Sequence, residues 1–171
     1  MRKFIVAIFV LLILLYPCSG KSETASDWYN KAKALNYTDQ KKAIGYLNNA
    51  LRLQPNYADA YNDRGIAYTQ LGQNEQAIKD FNEAIRLKPD NVNAYNNRGI
   101  VYFNLGQYQR TIEDSNEAIR LKPDNVNAYN NRGASYLKQG NKKLGCRDLQ
   151  KACALKNCLL FESAKTKGFC R

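Results

Sequence analysis

Four cysteines crowd the end of the chain: Cys146, Cys153, Cys158 and Cys170. Thiols at such spacings can do two kinds of chemistry. They can oxidise to disulfides, or they can hold a soft metal as thiolates. The sequence contains no histidine and no Cys-x-x-Cys pair, which removes the usual zinc-ligand vocabulary. Disulfides are therefore the expected chemistry, with no metal and no cofactor. The lack of histidine also removes the commonest general base. No glycine-rich phosphate loop, HExxH or GxSxG pattern is present. Acidic residues such as Asp80 and Glu83 read as solvated charge on outward helix faces. The chain is read as a protein that is not an enzyme.

The elements that carry the cysteines narrow their pairing. Cys146 and Cys153 share one face of a single helical stretch, roughly 10.5 Å apart along its axis. A disulfide tolerates roughly 7 Å between Cα atoms, so these two should not pair with each other. Residues Leu159 to Lys167 read as one further short helix, stopped by Gly168. If that helix folds back antiparallel, Cys158 meets Cys153 and Cys170 meets Cys146. The expected bridges are Cys153–Cys158 and Cys146–Cys170. The crossed pairing would require each bridge to span the length of a helix.

Upstream, the chain repeats itself. Glu83–Gly99 reads EAIRLKPDNVNAYNNRG, and Glu117–Gly133 reads the same letters again. DAYNDRG at Asp59–Gly65 is an imperfect earlier copy. The copies share one fixed spacing, that from Glu83 to Glu117. Such a period marks a supersecondary unit stacked on its own copies, each burying its neighbour's apolar face. Within a unit, apolar and small positions step by 3 and 4: Ala60, Tyr61, Gly65 and Tyr68, then Ala77, Ile78, Phe81, Ala84 and Ile85. That is the mark of amphipathic helices. Gly72 suits a helix stop and Pro89 a second one, while Asp90 and Asn91 suit the next helix start. Each period is helix, turn, helix, turn.

These residues resemble the tetratricopeptide repeat (TPR) family. Tyr61, Gly65, Tyr68, Ala77, Phe81, Ala84 and Pro89 match its 34-residue pattern. So do Tyr95, Gly99, Tyr102, Ala118 and Pro123. Tyr129, Gly133, Tyr136, Leu149 and Ala152 form a later copy, and Trp28, Ala32, Leu35, Ala43, Leu47, Ala50 and Pro55 a degenerate earlier one. The resemblance implies an all-α fold, a right-handed solenoid of four helix-turn-helix units near 25–57, 58–91, 92–125 and 126–157. The repeats thus occupy 21–157, and residues 158–171 form a disulfide-locked cap. The family's leucine before the glycine is Arg64, Arg98 and Arg132 here, read as snorkelling or bridging between units. Ser115 replaces a buried aromatic, a loss that Phe103 and Tyr108 are expected to refill.

In the resembled family the first helix of each unit lines an inner groove that holds peptides. Its groove places fall on Asn62, Asn96 and Asn130, and on Asp63, Asn97 and Asn131. Phe103 and Lys138 lie further along the same face. Asparagine both donates and accepts, so a row of them suits the backbone of an extended chain. The alternative is that these asparagines pair with neighbouring units and were copied by duplication. A two-carboxylate clamp would need Lys at the Asn62 place and Asn at the Ile66 place, and neither is present.

Residues 1–20 read as a secretory signal peptide. Arg2 and Lys3 precede an apolar run from Phe4 to Tyr16, shorter than the ~20 residues of a spanning helix, and Cys18-Ser19-Gly20 suits cleavage. Leu15 to Cys18 also resembles a bacterial lipoprotein box, although Tyr16 and Pro17 fit it poorly. Loss of Arg2 and Lys3 with the signal lowers the net charge from +11 to +9. The basic residues are spread through every unit, which argues against a nucleic-acid partner. The expectation is an exported, periplasmic or secreted bacterial scaffold that binds a protein or peptide in its concave face. The alternative is an envelope assembly factor acting through self-association, or a lipoprotein tethered to the membrane at Cys18.

Overall fold

The computed structural model describes residues 22–36 and 38–170. The expected signal segment, with Cys18, lies outside the described residues. Among those described, nine helices follow one another and no strand occurs. They are α1 (Ala25–Ala34), α2 (Gln40–Leu53), α3 (Ala58–Gln70), α4 (Asn74–Leu87), α5 (Val92–Asn104), α6 (Tyr108–Leu121), α7 (Val126–Lys138), α8 (Lys142–Ala154) and α9 (Leu159–Thr166).

The local chemistry explains where the helices start and stop. Asn91 accepts from the amide of Ala94 at 3.2 Å, and Asn125 accepts from that of Ala128 at 3.1 Å. Each satisfies a donor that the first helical turn leaves free. Thr24 and Asp27 form a reciprocal capping box ahead of α1. Gly72, at φ +73°, takes the left-handed position that closes α3.

The helices stack as antiparallel pairs, α1 with α2, α3 with α4, α5 with α6 and α7 with α8, and each pair packs on the next. Ala50, Ala84, Ala118 and Ala152 recur once per unit in the second helices and are fully buried. So are Ala60, Ala94 and Ala128 in the first helices. Small side chains there let the helices approach closely, and larger ones interlock around them. Phe81 lies across Gly65, where an added Cβ would come within 2.7 Å of the ring. Phe81, Ala77 and Val101 form one buried cluster across two units. This is the mutual burial that a stacked unit requires.

The first helices touch directly, α3 with α5 and α5 with α7. They sit on the tighter side of the stack, which is its inner, concave surface. At the far end α9 packs on α8. Both expected bridges are formed, Cys146–Cys170 with Cα atoms 5.5 Å apart and Cys153–Cys158 with 3.9 Å. Leu149, Ala164 and Cys170 are buried together beneath them. An end unit has no neighbour to cover it, and α9 supplies that cover.

The surroundings of Ser115 differ from those of Phe81. Phe103 and Tyr108 pack against each other, ring centroids 5.4 Å apart. The atoms nearest to a Cβ on Gly99 instead belong to Asp114 and Thr111, at 3.6 and 3.9 Å. Thr111 also donates its hydroxyl to the Gly99 carbonyl at 3.1 Å. Both contacts are at ordinary van der Waals distance, so Gly99 lacks the close ring that covers Gly65.

Candidate functional site

The inner face is built by α3, α5 and α7, whose identical spacing puts equivalent residues side by side. Asn62, Asn96 and Asn130 are buried, each less than a tenth exposed. Asp63, Asn97 and Asn131, one position on, are half-buried at the surface of the groove. The two rows are linked across units. Asn97 donates its side-chain amide to Asn62 Oδ1 at 3.1 Å, and Asn131 donates to the Asn96 carbonyl at 3.5 Å. Asn62 donates to Asp63 Oδ1 at 3.1 Å. The Oδ1 atoms of Asn96 and Asn130 are buried without a hydrogen-bond partner among the described residues. A ligand arriving from the inner side therefore meets Asp63, Asn97 and Asn131 before the deeper row.

Asp63 has local work of its own. Its charge acts on the Tyr29 phenol on α1. Burial, and then the nearby Asp63 charge, push the Tyr29 phenol well above its ordinary value. An asparagine there would carry no charge to hold the phenol.

Three depressions run along this face. Lys33, Leu47, Asp63 and Gln70 line the first, about 150 Å³. Ile66, Thr69, Asn97 and Ile100 line the second, about 160 Å³. Phe103, Ala134, Leu137 and Lys138 line the third with residues of the cap, about 250 Å³. The structure thus brings Asp63, Asn97, Phe103 and Lys138 to the open surface and sets Asn62, Asn96 and Asn130 behind it.

The most ordered polar constellation lies between the helices and is structural. Arg64 donates Nε and Nη2 to the two oxygens of Asp80, at 2.7 and 2.8 Å, and Nη1 to Asn48 at 2.7 Å. Asp80 belongs to the same pair, Asn48 to the preceding one. Arg98 repeats this with Asp114 and Asn82, and Arg132 with Asp148 and Asn116. Each guanidinium also lies over a tyrosine ring, Arg64 at 5.4 Å from Tyr61. Of the two readings for these arginines, bridging is the one adopted. Asp80 corrects the expectation of solvated charge: it is only 5% exposed, since a buried guanidinium fork needs a carboxylate opposite it. The signal was present in the sequence, as an Asn before and an Asp after each arginine at one constant spacing. Glu83 does stay near the surface, paired with Arg86.

All four described cysteine sulfurs are committed to disulfides, so none is a metal ligand. What the arrangement offers chemically is recognition: a concave row of amide and carboxylate groups, apolar depressions, and a rigid frame.

Antiparallel helix pairs stacked at a fixed period around an inner groove define a helical-repeat scaffold. A model described as "TPR repeat" matches residues 67–106 and 101–140, and one described as "Tetratricopeptide repeat" matches residues 46–79. The chain belongs to the tetratricopeptide repeat family, whose members are generally interaction modules rather than catalysts. No curated protein sequence matches it. Among solved structures it is similar to one described as MamA, with TM-score 0.74 and 24% identity over 86% of this chain and 83% of that one. It is similar to the first TPR of Spaghetti (RPAP3), solved with an HSP90 peptide, SRMEEVD. That likeness has TM-score 0.67 and 22% identity over 72% of this chain and 99% of that one. The TPR domain of OM64 from Arabidopsis gives TM-score 0.65 and 25% identity over 67% and 95%.

Proposed function

We propose that this protein is a non-catalytic interaction scaffold that holds an extended segment of a partner protein along the inner face of α3, α5 and α7. The observation that carries this reading is the row Asp63, Asn97 and Asn131, set at the groove surface beside apolar depressions. Amide side chains there can pair with a partner's backbone whatever its sequence, while the depressions take its side chains. The RPAP3 domain supports the reading by analogy, since it was solved with a peptide. The absence of Lys at Asn62 and of Asn at Ile66 argues for a partner other than one held by a two-carboxylate clamp.

The two disulfides suit an oxidising compartment. With residues 1–20 read as a signal peptide, the proposed location is outside the cytoplasm, periplasmic or secreted. The mass of the mature N-terminus decides between a soluble form beginning at Lys21 and a lipid-modified Cys18.

The test is replacement of Asn97 and Asn131 together by Ala. Partner capture, assayed with the partner recovered by cross-linking in the native envelope, should weaken while the circular dichroism melt is preserved. Capture at wild-type strength would refute the inner-face reading.

A further inference from the structure

The third depression differs from the other two in how it is made. Half of its wall belongs to the repeats, through Phe103, Ala134 and Leu137, and half to the cap, through Leu160, Ala164 and Phe169. Its floor is buried: Leu149 is 1% and Ala164 4% exposed. Its rim is open, with Leu160 and Phe169 about two-fifths exposed. An apolar cavity of ~150 Å³ is enough to bind benzene, so about 250 Å³ accommodates a bulky apolar side chain. The rim charges have one sign. Lys138 and Lys167 line it and no carboxylate does, whereas Lys33 and Asp63 balance each other in the first depression. Lys142 adds a further cation, 5.6 Å from the Phe169 ring centroid.

We infer that this cap pocket is an anchor site for a bulky apolar side chain, Phe or Leu, flanked by acidic residues within an extended peptide. The inference rests on the inner-face reading and gives it a class of partner. The apolar lining takes the anchor, and Lys138 and Lys167 favour carboxylates beside it. The Cys146–Cys170 bridge ties the chain just after Phe169 to α8, so it holds the cap half of the wall in place. Without that bridge, the cap half of the wall would be tied to the repeats only through Cys153–Cys158.

The probe is a fluorescein-labelled, C-terminally amidated peptide with one Phe between two pairs of Glu, titrated by anisotropy into the full chain with both disulfides formed. A second titration follows the backbone amides by NMR. Binding should move the amides of Leu160, Ser163, Ala164 and Phe169. Changing the peptide's Phe to Ser should weaken it about tenfold or more, as loss of a buried anchor requires. Lys138→Glu with Lys167→Glu, both on exposed side chains, should weaken it severalfold, less so at high salt. Cys170→Ser should weaken it comparably to loss of the anchor.

Affinity indifferent to the Phe or to the two lysines overturns the proposal. Amide shifts confined to Ile66 and Ile100 overturn the cap pocket and leave the inner-face reading standing. No binding at millimolar peptide also overturns it, while the Asn97 and Asn131 variants judge the inner face separately.

Discussion

Arg98 and Asp114 face each other as fork and carboxylate, Nε to Oδ2 at 3.0 Å and Nη2 to Oδ1 at 2.6 Å. The pair joins α5 to α6, and the remaining guanidinium nitrogen reaches Asn82 on α4 at 2.6 Å. One side chain thus fastens three helices. Asp114 is 5% exposed, so removing its partner strands a carboxylate away from water. Arg98→Leu should cost about 3 kcal/mol, and Arg98→Leu combined with Asp114→Leu should recover most of it, because both charges leave together. Urea denaturation of the two variants checks this. A double variant no better than the single would mean that the pair contributes net stability beyond avoiding a buried charge.

Two glycines at equivalent positions should respond in opposite directions. In Gly65→Ala the new methyl meets the fully buried Phe81 ring at 2.7 Å, and destabilisation of about 1–3 kcal/mol should follow. In Gly99→Ala the nearest atom is 3.6 Å away, and the gain in helix propensity of up to about 1 kcal/mol should dominate. Melting temperatures of the two variants, falling for one and holding or rising for the other, are the measurement.

The two bridges should differ in weight. Cys146–Cys170 closes a separation of 24 residues and Cys153–Cys158 one of 5. The longer loop loses more freedom when closed, so replacing Cys146 and Cys170 by Ser should cost about 3 kcal/mol, more than the same change at Cys153 and Cys158. Chemical denaturation ranks them, and non-reducing peptide mapping verifies the pairing.

The Tyr29 phenol should make the fold sensitive to alkali. Its folded value is raised above the reference of 10.0, chiefly by burial and then by Asp63. Below that reference its contribution is fully present. As pH rises past 10.0, the unfolded chain releases a proton that the folded chain keeps, and stability falls until the folded phenol ionises. Denaturation between pH 9 and 11 should show this loss, and Tyr29→Phe should reduce the slope.

How much of the site was legible differs between residues. The register of the asparagines was readable because the repeat period returns each position to the same place on the next helix. Their depth was not. Asn96 and Asn97 are adjacent in sequence, but a helix turns about 100° per residue, and packing decides which of the two is buried. The role of Asp80 was hidden for a related reason. Its charge suggested solvent, and only the arginine opposite, brought there by the neighbouring helix, makes its burial tolerable.

The sequence by itself determined the architecture. The copied Glu83–Gly99 segment spans the end of one unit and the start of the next, so it specifies how units stack. Helix spacing similarly restricted the cysteines to one pairing, because a disulfide has a short reach. Tertiary structure alone decided which asparagines face the groove, which side chains lie against Gly99, and how the cap turns the last repeat into a pocket with a basic rim. Those outcomes depend on three helices meeting at once, and a one-dimensional pattern records only the face that each helix offers.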